Sequence, residues 1–185
     1  MVVTLIGYRG TGKTTVAPLL AGRLNFESID ADTELERRVG RTVREIFESE
    51  SESGFRARES ALLAELLQRD RLVIAAGGGA VLDSNTRERM RAAGPVVWLR
   101  ATVPTIVRQI AADPTTRDRR PNLTADGGRR EIDSLLLLRE PLYAETASVT
   151  VDVDDRTLDE IVAAILPSVL PPPIGSGGKW RSAGP

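Results

Sequence analysis

The sequence of 185 residues contains no cysteine and no histidine. These absences exclude thiolate nucleophiles, disulfides, zinc sites built on sulfur or imidazole, and every catalytic triad that uses histidine as its base. Any chemistry that the protein performs must therefore depend on carboxylates, lysine and arginine.

An excess of charge of either sign is also missing. Lysine and arginine together number 25, aspartate and glutamate 26, and the net charge is -1. Such a balance provides no field over the whole surface that would attract nucleic acid. No apolar run approaches membrane-spanning length, and the apolar run at residues 2–6 is too short for the core of a signal peptide. We therefore expect a cytoplasmic protein with neither nucleic acid nor a membrane as its partner.

Five apolar, β-rich runs alternate with amphipathic helical patterns, which indicates an α/β protein. Several of the runs are apolar at consecutive positions, as expected for parallel strands that helices cover on both faces. The length suits one domain. The sequence thus predicts a single doubly wound domain over residues 1–170 with a parallel sheet whose strands lie at residues 2–6, 26–29, 71–76, 95–100 and 148–153.

Helix boundaries are marked by capping signals. Thr42 and Thr157 are each followed three residues later by glutamate, which is the spacing of a capping box. Ser84 is predicted to cap a helix over residues 85–93. A cluster of four leucines indicates the apolar face of another helix, predicted from about Phe55 to Arg69.

The first loop carries the strongest functional signal. Residues 7–15 read GYRGTGKTT and match G-x-x-x-x-G-K-[ST] between a predicted strand and a predicted helix. Glycines let backbone N-H groups converge on phosphate oxygens, and the helix that follows points its positive end at the anion. Lysine can bridge the terminal phosphates and threonine can ligate Mg²⁺. The loop predicts a site for ATP and Mg²⁺ formed by Gly10, Thr11, Gly12, Lys13, Thr14 and Thr15.

Two carboxylates follow the second predicted strand, at Asp30 and Asp32. At the carboxyl end of a strand next to the first, both would face the crevice in which α/β sheets bind ligands, and they would point the same way if the strand persists. One carboxylate could then hold Mg²⁺ through water, and the other could accept the proton of an attacking hydroxyl. Helix capping by Asp32 is the alternative interpretation.

Two segments depart from the alternating pattern. Residues 113–130 contain five arginines with proline and glycine and almost no apolar side chains, which is typical of a solvated loop or of a mobile lid. Residues 171–185 are rich in Pro, Gly and Ser and are predicted to be a disordered tail.

Several separated motifs, taken together, resemble those of the shikimate kinase family. The resemblance extends to about residue 168 and rests on GYRGTGKTT, on DAD at 30–32, on FRARE at 55–59, on the triple glycine at 77–79, on Arg120-Pro121, and on REPLY at 139–143. It implies a three-layer P-loop kinase fold with a substrate-binding helical region at about 33–60 and a lid at about 113–126. The implied activity is phosphorylation of the 3-hydroxyl of shikimate by ATP, within the aromatic amino-acid pathway, by a monomer.

The resemblance also implies a role for individual residues. Asp32 would contact the reacting hydroxyl, Asp30 would lie near the metal, and the backbone of Gly78 would lie against the substrate ring. The remaining implied contacts involve arginines: Arg56 and Arg139 at the substrate carboxylate, Arg120 of the lid at the phosphates, and Arg156 near the adenine. Only Arg120 directly precedes the lid proline, but Arg117 and Arg119 are further candidates for the phosphate contact.

Purely structural roles for these arginines, and other functions for the protein, stay open at this point. Arg56 could pair with Glu52 or Glu59, and Arg139 with Glu140 or Glu145, as ordinary helix-surface ion pairs. Another small-molecule kinase, for gluconate or a nucleoside monophosphate, would share the loop. A nucleotide-binding module without turnover would be expected to lack Lys13 or Asp32, and both are present.

Overall fold

A computed structural model describes residues 1–112 and 128–170 of the protein. The described elements are, in chain order, β1 (Val2–Ile6), α1 (Lys13–Leu24), β2 (Glu27–Asp30), α2 (Ala31–Val39), α3 (Val43–Leu66), β3 (Leu72–Ala75), a 3₁₀ turn (Ala80–Leu82), α4 (Ser84–Ala93), β4 (Val96–Arg100), α5 (Val103–Ala112), α6 (Gly128–Thr146), β5 (Val149–Asp152) and α7 (Leu158–Val169).

The five strands form one parallel sheet in the order β2-β3-β1-β4-β5. This arrangement confirms the predicted α/β fold with a five-stranded parallel sheet. The connection from β1 leads to β2 on one side, and the connection from its neighbour β3 leads to β4 on the other side, so the sheet has a switch point between the carboxyl ends of β1 and β3. Ligands bind at such points in open α/β sheets, because loops from the two halves diverge there.

Alternating side chains of the strands build a core on each face of the sheet. On one face they pack against α2, α3, α4 and α6, and on the other against α1 and α7. Strand β1 is buried along its whole length, because its neighbours cover both edges and helices cover both faces. A third, smaller cluster joins Tyr8 to α5 and α6. The loop that follows β1 is therefore supported from beneath and from one side.

The structure corrects three local predictions, which concern the cap of α4, the bounds of one helix and the end of β2. Asp83, not Ser84, caps α4, because its carboxylate accepts a hydrogen bond from the backbone N-H of Thr86 and leaves Ser84 as the first helical residue. The predicted helix from Phe55 to Arg69 is the second half of α3, which begins at Val43 and ends at Leu66. Strand β2 also ends at Asp30, so Asp32 does not continue the strand alternation.

The second half of α3 is set off by a kink at Ser51. This residue has φ 64° and ψ 175°, a conformation found almost exclusively at glycine. Glu50 accepts hydrogen bonds from Arg41 on one side of the kink and from Arg58 on the other, at 2.5 and 2.6 Å. The predicted lid at 113–126 and the predicted tail at 171–185 lie outside the described residues.

Candidate active site

The loop between β1 and α1 has the conformation that a phosphate-binding loop requires. Gly10 and Gly12 have φ angles of 80° and 86°, which side-chain-bearing residues rarely adopt. Gly12 is also the N-cap of α1, and no side chain caps this helix. The positive end of α1 and the backbone N-H groups of its first turn are thus directed into the loop, where an anion would be stabilised.

Lys13 lies across the loop and is almost completely buried. Its Nζ atom donates hydrogen bonds to the carbonyl oxygens of Gly7 and Tyr8, at 2.8 Å each. The hydroxyl of Thr11 donates to the same Tyr8 carbonyl at 2.9 Å. These bonds hold the loop in a closed curve and place the ammonium group inside it, where it can meet the terminal phosphates of a nucleotide.

The two predicted metal ligands, Thr14 and Asp30, are in direct contact. The Thr14 hydroxyl donates to Oδ2 of Asp30 at 2.7 Å, while Oδ1 of Asp30 accepts from the backbone N-H of Thr33 and caps α2. A hydroxyl and a carboxylate side by side are the hard oxygen donors that suit Mg²⁺, which in kinases keeps several waters and takes further oxygens from phosphates. No group of three or more acidic side chains that could hold a metal occurs within residues 1–112 and 128–170. The donor set therefore fits a magnesium ion that is shared with a nucleotide.

Asp32 lies in the first turn of α2 and is half-buried. The alternative interpretation, that Asp32 caps a helix, is not what the structure shows, because Asp30 is the cap. The carboxylate of Asp32 instead reaches the glycine turn after β3, where a Cβ atom built on Gly77 would be 3.3 Å from Oδ1. Asp32 therefore lies at the carboxyl edge of the sheet, but it belongs to the first turn of α2 and not to a continuation of β2.

Arg56 packs against the same glycine turn. A Cβ atom on Gly79 would overlap with the Arg56 guanidinium, so glycine at this position is what allows the approach. Nη1 of Arg56 donates to Glu59 at 2.6 Å and Nη2 to Glu52 at 3.1 Å. The ion pairs of Arg56 with Glu52 and Glu59 thus exist, but they hold the guanidinium at the crevice and not on an outer surface of the helix.

Arg139, in α6, also reaches the turn. It is 5% exposed, and its Nη1 donates to the carbonyl oxygen of Gly78 at 3.4 Å. A surface position would imply an ion pair between Arg139 and Glu145. Among the described hydrogen bonds and ion pairs there is none between these two residues, and Glu145 instead contacts Arg87 and Arg91. Tyr143 donates a further hydrogen bond to the Gly78 carbonyl. The turn is therefore in contact with two arginines, and Arg139 and the buried phenol of Tyr143 both hydrogen-bond to it.

Glu59 is a site residue that the sequence analysis treated only as a possible partner of Arg56. Burial raises the pKa of its carboxyl above the ordinary 4.5, against the opposing influence of Arg56 and Arg139. The pKa of Arg56 is raised by Glu59 and Glu52, although its own burial opposes this. A signal was available, because Glu59 shares the apolar face of α3 with Phe55 and Leu63. A carboxylate on such a face needs a buried cation as its partner.

Among the predicted site residues that the structure describes, Arg156 is not brought next to the glycine turn. Arg156 is exposed on the loop between β5 and α7. This loop follows a strand of the same parallel sheet, so it lies at the same edge as the phosphate-binding loop. Arg120, with Arg117 and Arg119, lies outside the described residues. No helix in the described part of the chain is long and apolar enough to cross a membrane.

Comparison with known proteins assigns the family. A model of the shikimate kinase family matches residues 9–170. The shikimate kinase of Rhodopirellula baltica is 43% identical over 162 residues, which cover 88% of this chain and 87% of that protein. The chain belongs to the shikimate kinase family. A solved shikimate kinase from Acinetobacter baumannii in complex with shikimate superimposes with a TM-score of 0.84 at 37% identity, covering 91% of this chain and 92% of that one.

A gluconokinase structure is a useful contrast to these shikimate kinases. The enzyme from Sinorhizobium meliloti superimposes with a TM-score of 0.51 at 17% identity. A likeness at this identity reflects the shared fold alone. With a TM-score of 0.84 against 0.51, the chain is much more similar to the shikimate kinase of Acinetobacter baumannii than to this gluconokinase.

Proposed function

We propose that this chain transfers the γ-phosphoryl group of ATP to the 3-hydroxyl of shikimate, giving 3-phosphoshikimate and ADP in aromatic amino-acid biosynthesis. One observation carries the proposal: Arg56 and Arg139 meet at the glycine turn beside Asp32, and this turn is in contact with the phosphate-binding loop. A Cβ atom on Gly78 would lie 3.3 Å from the Gly7 carbonyl oxygen. Membership of the family supports the choice of substrate.

The substrate is held by its carboxylate and by its hydroxyl groups. Planar guanidinium groups bind a carboxylate with paired hydrogen bonds, and such charge-assisted bonds contribute about 1.5 to 3 kcal/mol each once water is excluded. Arg139 is buried and Arg56 is braced by two glutamates, so both arginines are oriented before the substrate arrives. Preorganisation of this kind lowers the cost of binding.

On the nucleotide side, the loop from Gly10 to Thr15 would surround the phosphates. Lys13 would exchange its contacts with the loop carbonyls for the terminal phosphate oxygens, and Arg156 would lie near the adenine. Thr14 and Asp30 would hold Mg²⁺, which neutralises charge on the phosphates when it is bound. Arg120 is proposed to add a cation to the transferring group as the segment at 113–126 closes over the site.

Asp32 would act on the attacking hydroxyl. Its position in the first turn of α2, next to Gly77 at the carboxyl edge of the sheet, supports a role as the acceptor of the hydroxyl proton. Phosphoryl transfer requires little covalent work from the protein, so alignment of the hydroxyl with the phosphate is the main contribution. We also propose that residues 1–170 form a single kinase domain, that residues 171–185 are a tail, and that the enzyme acts as a cytoplasmic monomer.

The deciding experiment is a measurement of ADP release with shikimate, gluconate and AMP in parallel, with and without Mg²⁺. We expect turnover with shikimate only, and only when Mg²⁺ is present. Preference for gluconate or AMP would end the substrate assignment. Binding of ATP without turnover of any acceptor would favour a nucleotide-binding module that lacks catalysis.

A further inference from the structure

An arginine inside the phosphate-binding loop forms an ion pair that the proposed reaction does not use. Nη2 of Arg9 donates to Oε1 of Glu131 at 3.0 Å, across 122 residues of sequence. The side chain of Glu131 is fully buried, and that of Arg9 is only 15% exposed. Phosphate binding by the loop requires glycines, lysine and threonine, and it does not require an arginine at this position.

Helix α6 meets the loop at two points. Glu131 lies in its first turn and Arg139 follows eight residues later, about 12 Å along the helix axis. At the first point Glu131 binds Arg9. At the second, the Arg139 guanidinium lies 5.8 Å from the ring of Tyr8, the neighbour of Arg9 in the loop, and donates to the Gly78 carbonyl. Helix α6 is thus tied at both points to the segment that curves around the phosphates.

Stability alone is a poor explanation for the Arg9–Glu131 pair. The desolvation penalty of two buried charges often exceeds the free energy of their attraction. Proteins in which such a pair is replaced by apolar residues of similar volume are often as stable as the original or more stable. The Nε atom of Arg9 is buried and has no hydrogen-bond partner among the described residues, which adds to that cost. Buried pairs of this kind are best known for selecting one arrangement of the elements that they join.

We propose that Arg9 and Glu131 are positioning residues that hold α6 in register with the phosphate-binding loop, so that Arg139 presents its guanidinium to the substrate carboxylate. The inference rests on the proposed function, because it assigns the pair a role in binding of the same substrate. The loop itself does not depend on the pair, since Thr11 binds the Tyr8 carbonyl from within and Gly12 joins the loop to the start of α1. Loss of the pair should therefore affect shikimate more than ATP.

The test is a double apolar variant, Arg9→Met with Glu131→Leu. We expect a melting temperature near that of the wild type and a KM for ATP changed by less than about threefold. The KM for shikimate should rise by about tenfold, which is the order expected when one charge-assisted hydrogen bond is weakened. The matched control is Arg23→Met with Asp159→Leu, which removes an exposed pair of the same charges between α1 and α7, and should change neither KM.

A double variant with a wild-type KM for shikimate would overturn the inference, and so would an equal rise in both KM values, since that would indicate general damage to the loop. If the double variant does not fold, Glu131→Gln decides, because it keeps the shape of the side chain and removes the charge that pairs with Arg9. A rise in the KM for shikimate alone then supports positioning, and two unchanged KM values exclude it. Absence of shikimate turnover by the wild type would refute the proposed function instead, before any variant is compared.

Discussion

Gly77 and Glu59 lie so close together that a Cβ atom on Gly77 would overlap with Oε1 of the buried glutamate. The same Cβ atom would be 3.3 Å from Oδ1 of Asp32. The absence of a side chain at Gly77 therefore leaves room for both the carboxylate that orients Arg56 and the carboxylate that would meet the substrate hydroxyl. Binding of the substrate carboxylate and alignment of the attacking hydroxyl would therefore both depend on the space at Gly77.

We predict that Gly77→Ala displaces Glu59 and, with it, the Arg56 guanidinium. Misplacement of binding groups by about 1 Å costs on the order of a hundredfold in rate, so kcat/KM for shikimate should fall by about that factor. The control is Gly22→Ala in α1, where no atom lies within 4 Å of the added Cβ and alanine should stabilise the helix by about 0.5 to 1 kcal/mol. Wild-type kinetics for Gly77→Ala would show that the turn tolerates a side chain.

The fold could be predicted from the sequence because its signals are local. The strands were predicted from short β-rich runs, and their ends in the structure differ from the predicted ends by at most one residue. The kink at Ser51 could not be foreseen, since serine has no preference for a positive φ and the contacts that hold the kink come from residues such as Arg41 and Arg58. Local propensity does not contain that information.

The candidate site was predictable to the extent that its residues belong to motifs. Lys13, Asp32, Arg56 and Arg139 carry chemistry that a phosphoryl transfer to a carboxylate-bearing alcohol requires, and the structure gathers the last three of these around the glycine turn. The pairing of Arg9 with Glu131 was not predictable, because it joins positions 122 residues apart. Such a pair is a product of the tertiary fold, and neither residue belongs to a recognisable spacing.

Replacement of Asp32 by asparagine should separate nucleotide binding from phosphoryl transfer. The amide cannot accept the proton of the attacking hydroxyl, and loss of a group of this kind typically lowers kcat by about 10² to 10⁴. ATP binding, measured by calorimetry, should be unchanged because the loop is not altered. Glu34→Gln is the matched control, since it makes the same chemical change two residues later in α2. Turnover of Asp32→Asn at the control rate would remove Asp32 from the catalytic role.

Ser51→Gly should stabilise the protein. Residues forced into the region of φ 64° and ψ 175° store about 1 to 3 kcal/mol, which glycine would release in part because it has no Cβ atom. We expect a net gain of about 1 kcal/mol in the free energy of unfolding, measured with urea. Ser53→Gly loses the same contact between the hydroxyls of Ser51 and Ser53 but lies in regular helix, so it should destabilise by about 0.5 to 1 kcal/mol. Equal effects of the two variants would argue against strain at Ser51.

The ion pairs of Glu34 predict a pH dependence of stability. Hydrogen bonds from Arg37, and then from Arg38, lower the pKa of this carboxyl from 4.5 to about 2. The folded state thus binds the proton more weakly than the unfolded state. The contribution of the pair is complete above pH 4.5 and is lost as the pH falls towards about 2.

Comparison of the wild type with Glu34→Gln isolates this contribution. Because the Arg37 side chain is 70% exposed, solvent screens the pair, and the difference in the free energy of unfolding at pH 7 should be below about 1 kcal/mol. Urea titrations at pH values from 7 down to 2.5 should show the difference shrinking as the acid is added, while 1 M salt should reduce it at neutral pH because the Debye length falls to about 3 Å. A difference that is constant over the whole pH range would mean that the glutamine variant acts through packing and not through charge.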